Sequence, residues 1–180
     1  LGPRDNKSQI GGGAATMPAG RQSDSEGFGG AFVSLHKAGR LRGCIGRFNP
    51  GSGLAETVQD MAAAALNDPR FQGMPVTKED LPAIDIEISI LSPMKRTSDP
   101  LTLRLGIDGV YIRNGFHSGC FLPQVALEQG WDKEELLSRC CGGKAGLPPD
   151  AWKDPQTEIY LFSAEVFSEK QFHQPASNGQ

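Results

Sequence analysis

The 180-residue sequence predicts an α+β fold, a two-lobed single domain built mainly on antiparallel sheet with a few packed helices. Three observations carry this. Residues Ile84–Leu91 alternate strictly, with isoleucine at 84, 86, 88 and 90, which is the period of a strand with one buried face. Residues Leu54–Leu66 instead repeat their apolar positions (Leu54, Val58, Met61, Ala62, Ala65) with the period of a helix. Strand-like segments come in clusters with the helices set apart, which argues against a doubly wound parallel sheet. No internal repeat is present.

Taken in order, Ala31–His36 and Leu41–Phe48 are expected to form a hairpin about Lys37-Ala38-Gly39. A three-residue loop with Gly39 left-handed puts Val33, Leu35, Leu41, Gly43 and Ile45 on one face. Ser34, His36, Arg42 and Cys44 then share the other face, whereas a two-residue loop would mix apolar and polar side chains on both. The helix Leu54–Leu66 has Ser52 as its candidate cap and ends before Asp68-Pro69. Thr77–Asp80 reads as a capped helical turn. Beyond the isoleucine strand, weaker strands are expected at Leu101–Leu105, Val110–Arg113 and Phe116–Leu122, with turns at Gly106–Gly109 and Asn114-Gly115. Pro123 suits the first turn of a helix over Gln124–Gln129, and Asp132 caps another that Gly142-Gly143 should stop near Cys141. Glu158–Phe167 is the last strand. Trp131 and Trp152 are expected to pack helix ends against the sheet.

The length suits one domain with a sizeable core, and 22% charged residues is ordinary for a globular chain. Residues 1–30 are rich in glycine and polar residues without a hydrophobic period, so they read as an arm; 170–180 reads as a polar tail. The folded domain is expected over 31–169. A net charge of −3 argues against a nucleic-acid binder, which needs a basic footprint. No apolar run is long enough to span a membrane, and no apolar stretch follows the first charges as in a signal peptide. The first residue is Leu1 rather than Met, as in a processed product. Cys44, Cys120, Cys140 and Cys141 form no Cys-x-x-Cys pair, so neither a zinc site nor a disulfide scaffold is expected. Reduced thiols in a cytoplasm are expected.

Leu41-Arg-Gly-Cys-Ile-Gly46 is the stretch with most chemistry. Its thiol sits two residues from a guanidinium, and a nearby cation favours the reactive thiolate. Gly43 and Gly46 leave room for another molecule to approach the backbone. The plainer reading makes Cys44 a small hydrophobe in a half-buried strand, with Arg42 paired to Asp85 or Glu87. Glu87 and Ser89 project from the polar side of the isoleucine strand, ordinarily a solvated face; beside the hairpin, Glu87 becomes a candidate acid or base near Cys44. His36 and His117 are each possible partners for a thiol, and His173 lies in the polar tail. Cys140-Cys-Gly-Gly-Lys144 lacks the spacing of a phosphate loop. No metal site and no cofactor are expected.

The hexapeptide resembles the signature of the AMMECR domain family. The likeness extends through Asp68-Pro-Arg-Phe71, Glu87-Ile-Ser-Ile-Leu91, Leu122-Pro-Gln-Val-Ala126, Gly130-Trp-Asp132 and Lys144-Ala-Gly-Leu-Pro148, in matching order from about Gly30 to Glu169. It is most similar to the bacterial AmmeMemoRadiSam system protein A type, whose name implies Memo-like and radical SAM companions. The resemblance implies a two-lobed α+β fold with the hexapeptide near a cleft between lobes, and no settled reaction. Two departures stand out: residues 1–27 show no amphipathic period where the family has a helix, and Arg47 stands where Thr or Ser often follows the hexapeptide.

The leading expectation is a cleft for a small anionic or carbonyl-bearing ligand. Cys44 would be nucleophile or thiolate contact, Arg42 the anion clamp and Glu87 the acid or base, with Gly43, Gly46, Ser89 and Gln124 as further ligand contacts. The alternative is a non-catalytic interaction module for the Memo-like and radical SAM companions. A nucleic-acid factor is a weaker third reading.

Overall fold

A computed structural model describes residues 28–171. It contains strands β1 (Gly30–Lys37), β2 (Arg40–Phe48), β3 (Ile84–Leu91), β4 (Lys95–Thr97), β5 (Asp108–Asn114), β6 (His117–Phe121) and β7 (Glu158–Ser168). Helices are α1 (Leu54–Leu66), α2 (Gln124–Gln129) and α3 (Lys133–Arg139). The strands join in one antiparallel sheet, ordered β2-β1-β3-β7-β5-β6, with β4 also paired to β7. The eleven-residue β7 is the seam: its first half pairs with β4 and β5, its second half with β3. The α+β class and the antiparallel sheet are thus as expected. Gly30 already opens β1, and Lys170 and Gln171 lie in a short 3-10 turn; the rest of the expected arm and tail, with His173, lies outside the described residues.

The sheet curls. Phe48 on β2 packs edge-on against Tyr111 on β5, with ring centroids 5.4 Å apart. In a flat sheet the two strands would be about 19 Å apart, four inter-strand spacings. Phe32 and Phe162 complete this aromatic plug, at 5.6 and 5.3 Å from Phe48. The main core therefore joins both halves and takes in residues of β1, β2, β5, β6, β7, α2 and α3. A smaller core of Val33, Leu35, Met61 and Ala65 lies under α1 on the other side of the hairpin.

Curling reverses one expectation about β3. Ile86, on the face taken as inward, is 36% exposed, whereas Ser89, on the face taken as solvated, is 3% exposed. The polar face is the concave one, and the other half of the fold closes over it. Helix α1 lies on β1 and β2 and covers the isoleucine face only in part.

Local readings differ in four places. The hairpin turns through two residues, Ala38 and Gly39, both at positive φ (50° and 75°), not three. A register shift between Leu35 and His36 restores the parity, so Val33, Leu35, Gly43 and Ile45 still share a face, as do Ser34 and Cys44. Arg42 becomes the extra residue, and Leu41 stands opposite His36. The cap of α1 is Gly53; Ser52 instead lies 3.0 Å from the Thr57 hydroxyl. Residues 101–105 form no strand, because Asp99-Pro100 starts a 3-10 turn whose Leu101 N–H donates to the Asp99 carboxylate. The helix after Asp132 does not stop at Gly142-Gly143. It widens into a π turn over Cys140–Ala145 and ends at left-handed Gly146, pressed so closely on β6 that a Cβ on Gly119 would lie 2.5 Å from that of Lys144.

Candidate functional site

Strand pairing lines up a polar row across four strands on the concave face: Cys44 on β2, Ser34 on β1, Glu87 on β3 and Ser168 on β7. The next row holds Gly46, Phe32, Ser89 and Val166; on the other side lie Leu41, His36 and Asp85. Pairing of β3 with β1 thus brings Glu87 within two strands of Cys44.

At the sheet edge, the backbone of Cys44 is gripped by the segment after α1. The Cys44 N–H donates to Asp68 Oδ2 at 3.0 Å, and Arg70 Nη2 donates to the Cys44 carbonyl at 2.8 Å. Arg70 also holds Asp68 through Nε at 3.0 Å and Nη2 at 2.6 Å. Asp68-Pro-Arg-Phe71 therefore occupies the free edge of β2 in place of another strand. Burial pushes the Asp68 carboxyl up, but hydrogen bonds from Arg70 and from the Cys44 N–H outweigh it and hold the group below the ordinary carboxylate range.

The sulfur of Cys44 belongs to the main core and the residue is 4% exposed. Ser34 Oγ donates to it at 3.1 Å. Burial raises the thiol above its ordinary value, against the opposing pulls of the Ser34 hydroxyl and the Arg70 charge. At neutral pH the group is a thiol. The cation beside it is Arg70, not Arg42: displaced by the bulge, Arg42 donates through Nη2 to the carbonyls of Met74 and Pro75 at 2.9 and 3.2 Å.

The hexapeptide glycines serve close packing. A Cβ on Gly43 would lie 2.0 Å from the Ala65 carbonyl oxygen at the end of α1, and one on Gly46 would lie 2.1 Å from the Phe32 ring. The spaces expected to admit a ligand are filled by α1 and by Phe32. Ser89 is buried in the adjoining row, and Gln124 is half-buried in the first turn of α2. Among the described residues, Gln124 enters none of the hydrogen bonds around Cys44.

Two more residues come from elsewhere in the chain. Lys144, on the π turn, reaches over the Phe121 ring with Nζ 5.3 Å from its centroid. Burial, and then the Arg70 charge, lower its pKa. Glu128, on α2, has its carboxyl raised by burial and then by Glu87, against the opposing effect of His36. A groove of about 250 Å³ opens beside this end, lined by His36, Asp85, Glu87, Ser168 and Lys170 among others. Sequence reading treated Asp68 and Lys144 only as a helix stop and a failed phosphate loop, although both lie in blocks of the family resemblance. His117 is turned elsewhere, 3.2 Å from the Ala145 carbonyl. Among the described residues, no cluster of His, Cys, Asp and Glu suits a metal ion, and no helix is long and apolar enough to cross a membrane.

Comparison with known proteins agrees with this architecture. The family model described as AMMECR1 matches residues 7–167. A protein of Methanothermobacter thermautotrophicus is 46% identical over 147 residues, covering 78% of this chain and 75% of that protein. One from Thermococcus kodakarensis is 43% identical over 152 residues, covering 78% and 73%. The crystal structure of an uncharacterized protein from Pyrococcus horikoshii superposes with a TM-score of 0.72 at 39% identity, covering 79% of this chain and 74% of that one. These relatives are archaeal and say nothing for the narrower bacterial type. Matched over most of its length in sequence and in fold, the chain belongs to the AMMECR1 family.

Proposed function

We propose that the chain binds a small anionic or carbonyl-bearing ligand at the Cys44–Ser34–Glu87 row, entered from the groove beside Glu87, with Arg70 and Lys144 as its anion contacts. The observation that supports this reading is Arg70 seated on the Cys44 carbonyl, with the π turn that carries Lys144 packed against β6. Arg70 uses Nε and Nη2 on Asp68 and Cys44. In this reading Arg70 takes the clamp role first given to Arg42. Cys44 and Ser34 act as hydrogen-bonding contacts, and Glu87 is the candidate acid or base. The test is an amide NMR titration with pyruvate and with inorganic phosphate at fixed ionic strength. Saturable shifts at Cys44, Asp68 and Lys144 that weaken in Lys144→Gln are expected. Shifts that never saturate, or that are unchanged by the substitution, overturn the reading.

A second reading, an interaction module working with Memo-like and radical SAM proteins in a cytoplasm, draws on a different observation. Leu66 at the end of α1, and Met74 and Leu81 in the segment that follows it, are exposed, and exposed apolar side chains suit a protein partner. Co-purification with such companions that survives Cys44→Ser but fails in a Met74→Glu, Leu81→Glu double variant would favour it. Co-purification lost with Cys44→Ser alone would count against it.

A further inference from the structure

Strands β3 and β4 run one after the other along β7, with Leu91 opposite Ala164 and Lys95 opposite Leu161. That is four positions on one strand against three on the other, so one extra residue bulges within Ser92-Pro93-Met94. On its far side β3 is covered by β1, whose pairing begins at Gly30 opposite Leu91. Among the described residues β4 pairs with β7 alone, because β1 starts too late to reach it. A strand with one neighbour leaves every second N–H and C=O without a ladder partner.

The chain enters β1 along that open side. The Gly29 N–H donates to the Leu91 carbonyl at 2.6 Å, and a Cβ on Gly29 would lie 2.0 Å from the Ser92 carbonyl oxygen. Gly29 thus carries the ladder one step past Leu91, toward β4. The open edge is basic, with Lys95 and Arg96 both exposed. Arg96 Nη1 lies 3.7 Å from the Glu158 carboxylate, which also accepts from Arg113 Nε at 2.7 Å. Two guanidinium groups on one carboxylate leave a positive charge uncompensated. Just before Gly27 the sequence is acidic, Asp24-Ser25-Glu26.

We infer that residues 25–27 continue β1 as a strand on the open edge of β4, with Glu26 opposite Arg96. Past the bulge, the β1 register sets Gly27 opposite Lys95, Glu26 opposite Arg96 and Ser25 opposite Thr97. Facing residues share a side of the sheet, so the Glu26 carboxylate meets the guanidinium that Glu158 satisfies only in part. Tethering favours this occupant over a free strand, since Gly27 alone separates Glu26 from Phe28 and keeps it at a roughly millimolar effective concentration. The edge so covered is denied to a strand of another chain.

NMR of the isotope-labelled full chain at pH 7 tests this. Cross-strand Overhauser contacts between Glu26 and Arg96 are expected, with slow hydrogen exchange at the outward amides of β4. Ser25→Pro and Glu26→Pro between them remove a donor of either ladder parity. At least one should speed exchange in β4 by about fivefold or more and leave β3 and β5 unchanged. Glu26→Lys should speed it by about threefold, and Arg96→Glu added to that variant should restore part of the loss. Absence of the Glu26–Arg96 contacts, or exchange in β4 unmoved by both proline variants, overturns the added strand. Exchange unmoved by Glu26→Lys overturns its pairing with Arg96. Contacts that arise between chains in a mixture of labelled and unlabelled protein give the edge to a second copy and also overturn it.

Discussion

Ser34 and Cys44 stand directly opposite one another across β1 and β2, and the Ser34 hydroxyl donates to the Cys44 sulfur at 3.1 Å. The bulge that removes Arg42 from the ladder is what sets this pairing. It separates two groups that stand close together in the hexapeptide, with the thiol turned into the core and the guanidinium engaged by loop carbonyls.

Alkylation of Cys44 is therefore expected to be slow. Against a small free thiol, iodoacetamide should react at least about tenfold more slowly at pH 7, and the rate should rise only above the ordinary thiol range, since burial disfavours the thiolate. Arg42→Ala should leave the rate unchanged. Rapid modification at pH 7 that disappears with Arg42→Ala would contradict the geometry described for both side chains.

The Asp68 clamp should be a major support of the β2 edge. Removing its carboxylate leaves the Cys44 N–H and the Arg70 guanidinium without their partner, so Asp68→Ala should destabilise by about 3 kcal/mol. The depressed carboxyl sets the direction with pH: the contribution is present above the unfolded carboxylate value and lost as pH falls through the lower folded value. Urea melts at pH 7 and pH 3 check this, and the gap between wild type and Asp68→Ala should narrow in acid.

Glycine substitutions separate packing from access. Gly43→Ala drives a Cβ against rigid backbone, and Gly46→Ala drives one into the Phe32 ring, so each should lose about 1–3 kcal/mol, Gly43→Ala the more. Gly39→Ala meets open space and only the left-handed backbone penalty, about 1 kcal/mol. Thermal melts that place Gly39→Ala as the most damaging of the three would reject this account.

Alkaline pH should weaken the fold. Burial pushes Cys120 up to about 12, and Cys44 and Cys140 are raised as well. The unfolded chain releases these protons first, so stability present below pH 9 should decline between about pH 9 and pH 12. Circular-dichroism melts across that range should show a shallower fall in Cys120→Ala; an identical slope would remove the thiol from the explanation.

Several elements were legible because their cause is local. The alternation of Ile84–Leu91, the Gln124–Gln129 helix after Pro123 and the Asp132 cap each follow from neighbouring residues, and all are present. The family blocks also pointed to Asp68-Pro-Arg-Phe71 and Lys144, though not to what they touch. Arg42 shows where local reading stops, since a bulge shifts parity without altering composition, and alternation alone cannot locate it.

From its own residues the chain determined its α+β class, the face shared by Ser34 and Cys44, and the lack of a helix able to cross a membrane among the described residues. Only the tertiary structure decided that the polar side of β3 is concave, that Arg70 replaces Arg42 beside Cys44, and that the π turn carrying Lys144 packs on β6. Hydrophobic period reports which side of one strand is apolar. It does not report how far a sheet curls, and here curling brings segments distant in sequence onto the same few side chains.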